Sequence, residues 1–145
     1  MTEVSFHFNA PDKVEHTCRV LRKACNAGHR VNVVGQPEML KQLDAALWTF
    51  SPLDFVPHCF ANAAPSVLAH TPVVLGQTDM AAGQSTPSQM LINLDGQIPV
   101  GFERFEKVIE MVGLDAADRQ HARERWKHYA TRGYAIVRHD LSGAP

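Results

Sequence analysis

What this chain lacks narrows it before anything it contains is read. No apolar run approaches the roughly 20 residues that a membrane-spanning helix needs. The opening residues, MTEVSFHFNAPDKVEH, hold no basic segment followed by an apolar stretch, so they do not read as a secretory leader. Only three cysteines occur, Cys18, Cys25 and Cys59, and none belongs to a Cys-x-x-Cys motif. So sparse and odd a set excludes a disulfide-built scaffold and fits reduced thiols in a cytosol. These absences give the expectation of a soluble, cytoplasmic protein.

Nor does one sign of charge dominate. Lys and Arg number 14 against 15 Asp and Glu, a formal net charge of -1. Such a balance creates no global field to draw the molecule onto nucleic acid or an anionic membrane, so charge-driven contacts must be local. What is present is the 45% apolar content of a globular domain in 145 residues, enough for one core. A single domain over residues 1–140 is expected, with residues 141–145, ending Ser142-Gly143-Ala144-Pro145, as a frayed tail.

Period-two alternation of Val4, Phe6 and Phe8 with Ser5, His7 and Asn9 predicts a first strand. Val14, Cys18, Leu21 and Cys25 recur at helical spacing, predicting a helix over Lys13 to Ala27 with Gly28 as its stop. Arg30 to Gly35 reads as a second strand, and strand, helix and strand together suggest a parallel crossover. Gln36-Pro37 opens a second helix striped by Met39, Leu40, Leu43, Leu47 and Trp48, with Pro52 closing that region. Short strands and loops are expected between Asp54 and Ser88, at Phe55-Val56, Val67-Leu68 and Val73-Val74-Leu75. The run Met90 to Leu94 suits a strand buried on both faces. Phe102, Phe105, Val108, Ile109 and Val112 form a third helical stripe ending near Gly113. A fourth helix spans Ala116 to Thr131, acidic at its start, with Gly133 as its stop and a short strand at Tyr134 to Val137 beyond. The pattern predicts an α/β fold, a three-layer sandwich around a mostly parallel sheet.

The usual catalytic signatures are missing. No Gly-rich loop followed by Lys and Ser or Thr exists, and the crossover after strand one reads Asn9-Ala10-Pro11-Asp12-Lys13, without Gly-x-Gly. No Gly-x-Ser-x-Gly elbow occurs, and the Asp and Glu residues read as solvated charges on helix surfaces. His58, Cys59 and His70, or His121 and His128, would be the metal candidates, but neither set has compact ligand spacing, so no metal or cofactor is expected. Cys18 and Cys25 fall on an apolar stripe, where Cys packs as a small hydrophobe. Cys59 has no assigned role.

Two constellations carry more. Leu43-Asp44-Ala45-Ala46-Leu47-Trp48, with Asp54-Phe55-Val56-Pro57-His58, gathers large apolar groups at a helix end and an extended piece. Core packing explains Leu43, Leu47 and Phe55, while Trp48 beside a turn suits a partner anchor. In the fourth helix Arg119, Arg123, Trp126 and Lys127 stand at i, i+4, i+7 and i+8, so three cations and an aromatic share one face. That face suits an acidic peptide with an apolar residue, since Arg pairs with a carboxylate while Trp126 walls a side-chain pocket. A solvated helix with Trp126 turned inward explains it equally. The interspersed Glu124 and the charge balance argue against a surface tracking nucleic-acid phosphates.

Together the motifs Leu43-Asp44-x-x-Leu47-Trp48, Phe55-Val56-Pro57-His58 and Ala122-Arg123-Glu124-Arg125-Trp126-Lys127-x-Tyr129 resemble the chi subunit family of bacterial DNA polymerase III, in order and in approximate spacing over nearly the whole chain. The resemblance implies a fold related to nucleotide-binding folds but without nucleotide chemistry. It implies a non-catalytic replisome adaptor that pairs with the psi subunit, and so with the clamp loader, and binds the acidic C-terminal tail of single-stranded DNA-binding protein. A helicase-like protein is a further implied partner, and DNA is reached only indirectly. By motif, Arg123, Trp126 and Lys127 would hold the tail, joined by Arg119 through helical position, with Trp126 standing where Tyr is common. Trp48, Phe55 and Pro57 would face psi. The alternative is an α/β nucleotide-binding enzyme with a non-standard ligand loop.

Overall fold

The computed structural model describes residues 2–49, 55–76 and 89–142. Alternation at the start of the chain builds strand β1 (Glu3–Ala10). Val4 and Phe6 turn to one face of the sheet, while His7 on the other meets His16 of the following helix. Asp12 caps that helix, α1 (Lys13–Asn26), by accepting from the Glu15 N–H at 3.1 Å. Its inner stripe buries Thr17, Cys18, Leu21 and Ala24. Burial pushes the Cys18 thiol up to about 11 and raises that of Cys25, which suits packing and not nucleophilic attack.

Strand β2 (Val31–Val34) leads into α2 (Pro37–Thr49), whose Pro stands at the first helical position and whose Leu40, Leu43 and Leu47 are buried. Then follow β3 (His58–Phe60), the short helix α3 (Pro65–His70), β4 (Val73–Leu75) and β5 (Met90–Asn93). A single 3₁₀ turn (Phe102–Arg104) precedes β6 (Lys107–Gly113). Asp115 caps α4 (Ala116–Thr131) by accepting from the Ala117 and Asp118 N–H groups, and β7 (Ile136–Asp140) ends the fold.

Among the described residues seven strands form one sheet in the order β3-β4-β2-β5-β6-β1-β7, with every pairing parallel. The helices α1 and α2 cover one face over a core that includes Leu21, Leu43, Val33, Ile92 and Met111. On the other face α4 covers Val4, Phe6, Leu91, Val108 and Val112, joined by Phe102 and Tyr129. This is the expected three-layer α/β sandwich. The first crossover does join parallel strands, yet β5 and β6 lie between β1 and β2.

Three expectations need correction. The stripe from Phe102 to Val112 is not a helix but the 3₁₀ turn and β6. Being buried on both faces, β6 sends Ile109 and Met111 into the α1–α2 core and Val108 and Val112 into the α4 core, so its apolar positions imitate helical spacing. Phe55-Val56 lies outside any strand, just before β3, and Val67-Leu68 lies in α3. Glu110 is not a solvated helix charge but a fully buried strand residue. The stop at Pro52, and residues 143–145 of the expected tail, lie outside the described residues.

Candidate functional site

A groove of about 650 Å³ opens between α4 and the β1–β7 edge. Arg119, Arg123, Trp126 and Lys127, which spacing alone put on one helix face, all line it. Phe6 and Phe8 of β1, Val112 of β6 and Ala122 make its apolar surface, and Arg138 of β7 adds a cation from the other side. Arg123, Lys127 and Arg138 are exposed. Trp126 is half-buried, its ring 5.1 Å from that of Phe6, so it both packs inward and walls the groove. The Arg138 guanidinium lies 5.4 Å from the Phe8 ring centre and 5.7 Å from that of Trp126.

The rim is held by short polar links. Arg119 Nη2 donates to Asn9 Oδ1 at 3.0 Å, and Asn9 Nδ2 donates to Asp140 Oδ1 at 3.0 Å, joining α4 to β1 and β7. Asn9 adopts φ 60, a left-handed conformation that Asn tolerates better than most residues. Hydrogen bonds from Ser142 and Asn9 hold the Asp140 carboxyl at about 2, so it is ionised and already engaged. Arg123 Nη1 donates to Gln120 Oε1 at 3.3 Å.

Beneath the groove a buried polar network orients α4. Its inner face carries Ala122, Arg125 and Tyr129, next to the cationic face around the helix. Arg125 Nε and Asn93 Nδ2 each donate to Glu110 Oε1 at 2.8 Å, and the Tyr129 hydroxyl donates to Oε2 at 2.6 Å. Arg125 Nη1 donates to the Gly96 carbonyl at 3.0 Å. The helix is thereby fixed in rotation as well as in place, because each hydrogen bond requires its own geometry.

A second cleft of about 920 Å³ lies beyond the C-terminal ends of β1, β5 and β6, where open α/β sheets commonly bind ligands. Here the chain's own carboxylates take the positions a phosphate would need. Asp12 and Asp115 cap α1 and α4, and Asp118 Oδ2 accepts from the Gly113 N–H at 2.7 Å and pairs with Lys13 at 3.1 Å. Asp95 and Glu124 add further negative charge to the lining. That electrostatics disfavours the nucleotide-binding alternative.

At the far edge of the sheet, Trp48 at the end of α2 and Phe55 before β3 are 61% and 55% exposed, with ring centres 5.1 Å apart. Pro57 beside them is exposed as well. Core packing therefore accounts for Leu43 and Leu47 but not for Phe55, since the two leucines anchor the helix end while the aromatics stay outside. His58 supports the pair from behind. Its ring stands edge-on 5.2 Å from Trp48, with Nδ1 2.7 Å from the Val56 carbonyl oxygen and Nε2 3.0 Å from Asp44 Oδ1. His70 Nδ1 sits 2.8 Å from the Ser66 carbonyl oxygen, and His128 Nε2 accepts from Arg132 Nε at 3.0 Å. Among the described residues no three potential metal ligands gather into a site, and no helix is long and apolar enough to cross a membrane.

Two features escaped the sequence. Arg138 joins the groove because β7 alternates, turning Ile136 and Arg138 toward α4; an Ile-x-Arg pattern in the last strand was the available signal. The Glu110–Arg125 pair had no signal, since Glu110 sits in a run that imitates a helix.

The family model for the DNA polymerase III chi subunit, HolC, matches residues 1–137. The chain is 30% identical to DNA polymerase III subunit chi of Pseudomonas aeruginosa, covering 97% of this chain and 98% of that protein. Subunits of the same name from Haemophilus influenzae and Escherichia coli are each 28% identical, covering 84% and 82% of this chain and 83% and 79% of their own lengths.

Proposed function

This chain belongs to the DNA polymerase III chi subunit family, and from that premise we propose that it is a non-catalytic replisome adaptor with two separate docking faces. The groove of α4 takes the acidic C-terminal tail of single-stranded DNA-binding protein. The exposed Trp48, Phe55 and Pro57 face takes psi, and through psi the clamp loader, or a helicase-like protein in its place.

One observation carries most of this reading: Arg119, Arg123, Trp126 and Lys127 line a single groove with an apolar surface. Cations beside an aromatic wall recognise an acidic peptide bearing an apolar residue better than either feature would alone. The positions of the two faces support an adaptor. His58, against which Trp48 rests, belongs to the β3 edge, whereas Arg138 belongs to the β7 edge. Six strand intervals separate these edges, roughly 29 Å at ordinary sheet spacing. Both partners therefore have room to bind at once.

The test is a fluorescence-anisotropy titration with a labelled acidic peptide ending in Ile-Pro-Phe. Binding is expected to weaken as salt rises, because exposed cations supply much of the attraction. Arg123→Ala is expected to weaken it by about tenfold, the scale of one charge-assisted contact. If Arg123→Ala binds the peptide as tightly as the wild type, the groove is not the tail site.

A further inference from the structure

We propose that Arg138 is a specificity-determining residue of the groove: its guanidinium, within cation–π reach of the Phe8 and Trp126 rings, takes a carboxylate of the bound tail from the side that α4 does not reach. The proposal rests on the groove being the tail site and adds to it the chemistry of the opposite lip.

Arg138 is exposed on β7, across the groove from the cations of α4. Its guanidinium centre stands 5.4 Å from one aromatic ring and 5.7 Å from the other. A guanidinium held against a ring uses its face and its positive charge there, while its N–H donors point along its own plane. Two cation–π contacts bias a long side chain toward the groove, and a guanidinium so placed keeps its N–H donors for a carboxylate. The nearby carboxylate of Asp140 attracts Arg138 electrostatically, yet among the described residues no hydrogen bond or ion pair joins the two. Asp140 Oδ1 already accepts from Asn9 Nδ2, Ser142 N and Ser142 Oγ at 3.0, 2.9 and 2.7 Å.

With Arg138 included, the apolar surface has cations on both sides. An extended peptide sends successive side chains to opposite sides of its backbone, so acidic residues next to one another meet both lips. The occupant that fits is therefore an extended acidic segment carrying an apolar side chain. The carboxylate at Arg138 is either a side chain of that segment or its terminal α-carboxylate.

The experiment titrates wild type, Arg138→Ala, Arg138→Lys and Arg123→Ala with the acidic Ile-Pro-Phe peptide, as free acid and as C-terminal amide. Thermal melts of each variant confirm that it folds. Arg138→Ala is expected to bind the free acid about tenfold more weakly than wild type, as loss of a charge-assisted pair predicts. Arg138→Lys keeps the charge but not the planar fork, so it should stay several-fold weaker than wild type. Loss of the acid-over-amide preference in Arg138→Ala assigns the α-carboxylate; a preserved preference assigns a side-chain carboxylate. Should Arg123→Ala weaken binding while Arg138→Ala does not, the Arg138 contact is refuted and the groove assignment stands. Unchanged binding in both variants refutes both. Weakened retention of oligo-dT by Arg138→Ala, with peptide binding intact, would overturn the carboxylate assignment in favour of nucleic acid.

Discussion

Arg125 of α4 and Glu110 of β6 meet at 2.8 Å inside the protein, 2% and 0% exposed, and tie the helix that carries the cationic groove to the centre of the sheet. Burial pushes the Glu110 carboxyl up, against the pull of Arg125 and the hydrogen bonds from Tyr129, Asn93 and Arg125 itself. Removing only the cation would leave that carboxyl buried without its counter-charge. Arg125→Met is therefore expected to cost about 3–5 kcal/mol in a urea unfolding curve. A loss below about 1 kcal/mol would show that the remaining donors suffice.

His7 gives stability a pH dependence of definite sign. Its Nδ1 lies 2.8 Å from His16 Nε2, and its ring is 4.6 Å from that of His139. Burial first, then the charges of His16, His139 and Lys107, hold its pKa at about 3, and His16 is lowered too. In the unfolded chain an ordinary His takes its proton near pH 6.5, whereas folded His7 stays neutral until about 3. The unfolded state therefore binds more protons across that window. The contribution is complete above about pH 6.5 and is lost as pH falls toward 3. Melting temperature should drop from pH 7.5 to 5, and His7→Gln should flatten the drop; parallel curves would acquit His7.

The exposed aromatic pair separates binding from folding. Trp48→Ala loses a surface ring contact, so its stability should change by less than about 1 kcal/mol. Capture of purified psi on a sensor surface should fall at least tenfold, as expected for an aromatic anchor. Unaltered capture would move the psi site elsewhere.

Gly133 tests how α4 ends. Its φ is 81, its N–H donates to the Ala130 carbonyl, and the Tyr134 N–H donates to that of Tyr129, while the two tyrosine rings lie 6.2 Å apart. These are the bonds and apolar contact of a Schellman termination. A Cβ here would meet nothing within 4 Å, so the penalty is conformational. Gly133→Ala should cost about 1 kcal/mol, and Gly133→Asn less, by chemical denaturation. Equal stability of all three would show that the turn relaxes freely.

Most elements could be read from local patterns. Period-two alternation marked β1, helical stripes marked α1 and α2, and the acidic start at Asp115 and the stop at Gly133 marked α4. Those signals survive because caps, stops and amphipathic faces act over a few residues. The cationic face of α4 was legible for the same reason. β6 was misread because a strand between two cores has no polar side, so its apolar spacing no longer distinguishes strand from helix. Phe55 misled differently: apolar character does not reveal whether a residue is covered, and here Leu43 and Leu47 fill the core while Phe55 stands outside.

The α/β class, the helix face bearing Arg119, Arg123, Trp126 and Lys127, and the lack of a phosphate loop are all legible from local sequence, because each is set by neighbours along the chain. Tertiary structure decided what that face looks across to. Strand order brings β7 beside β1, so Phe8 and Arg138, 130 residues apart in number, reach the same groove. It also placed Glu110 under Arg125 and left Trp48 and Phe55 uncovered at the other edge. Such groupings depend on which strands become neighbours, a choice made by the whole core.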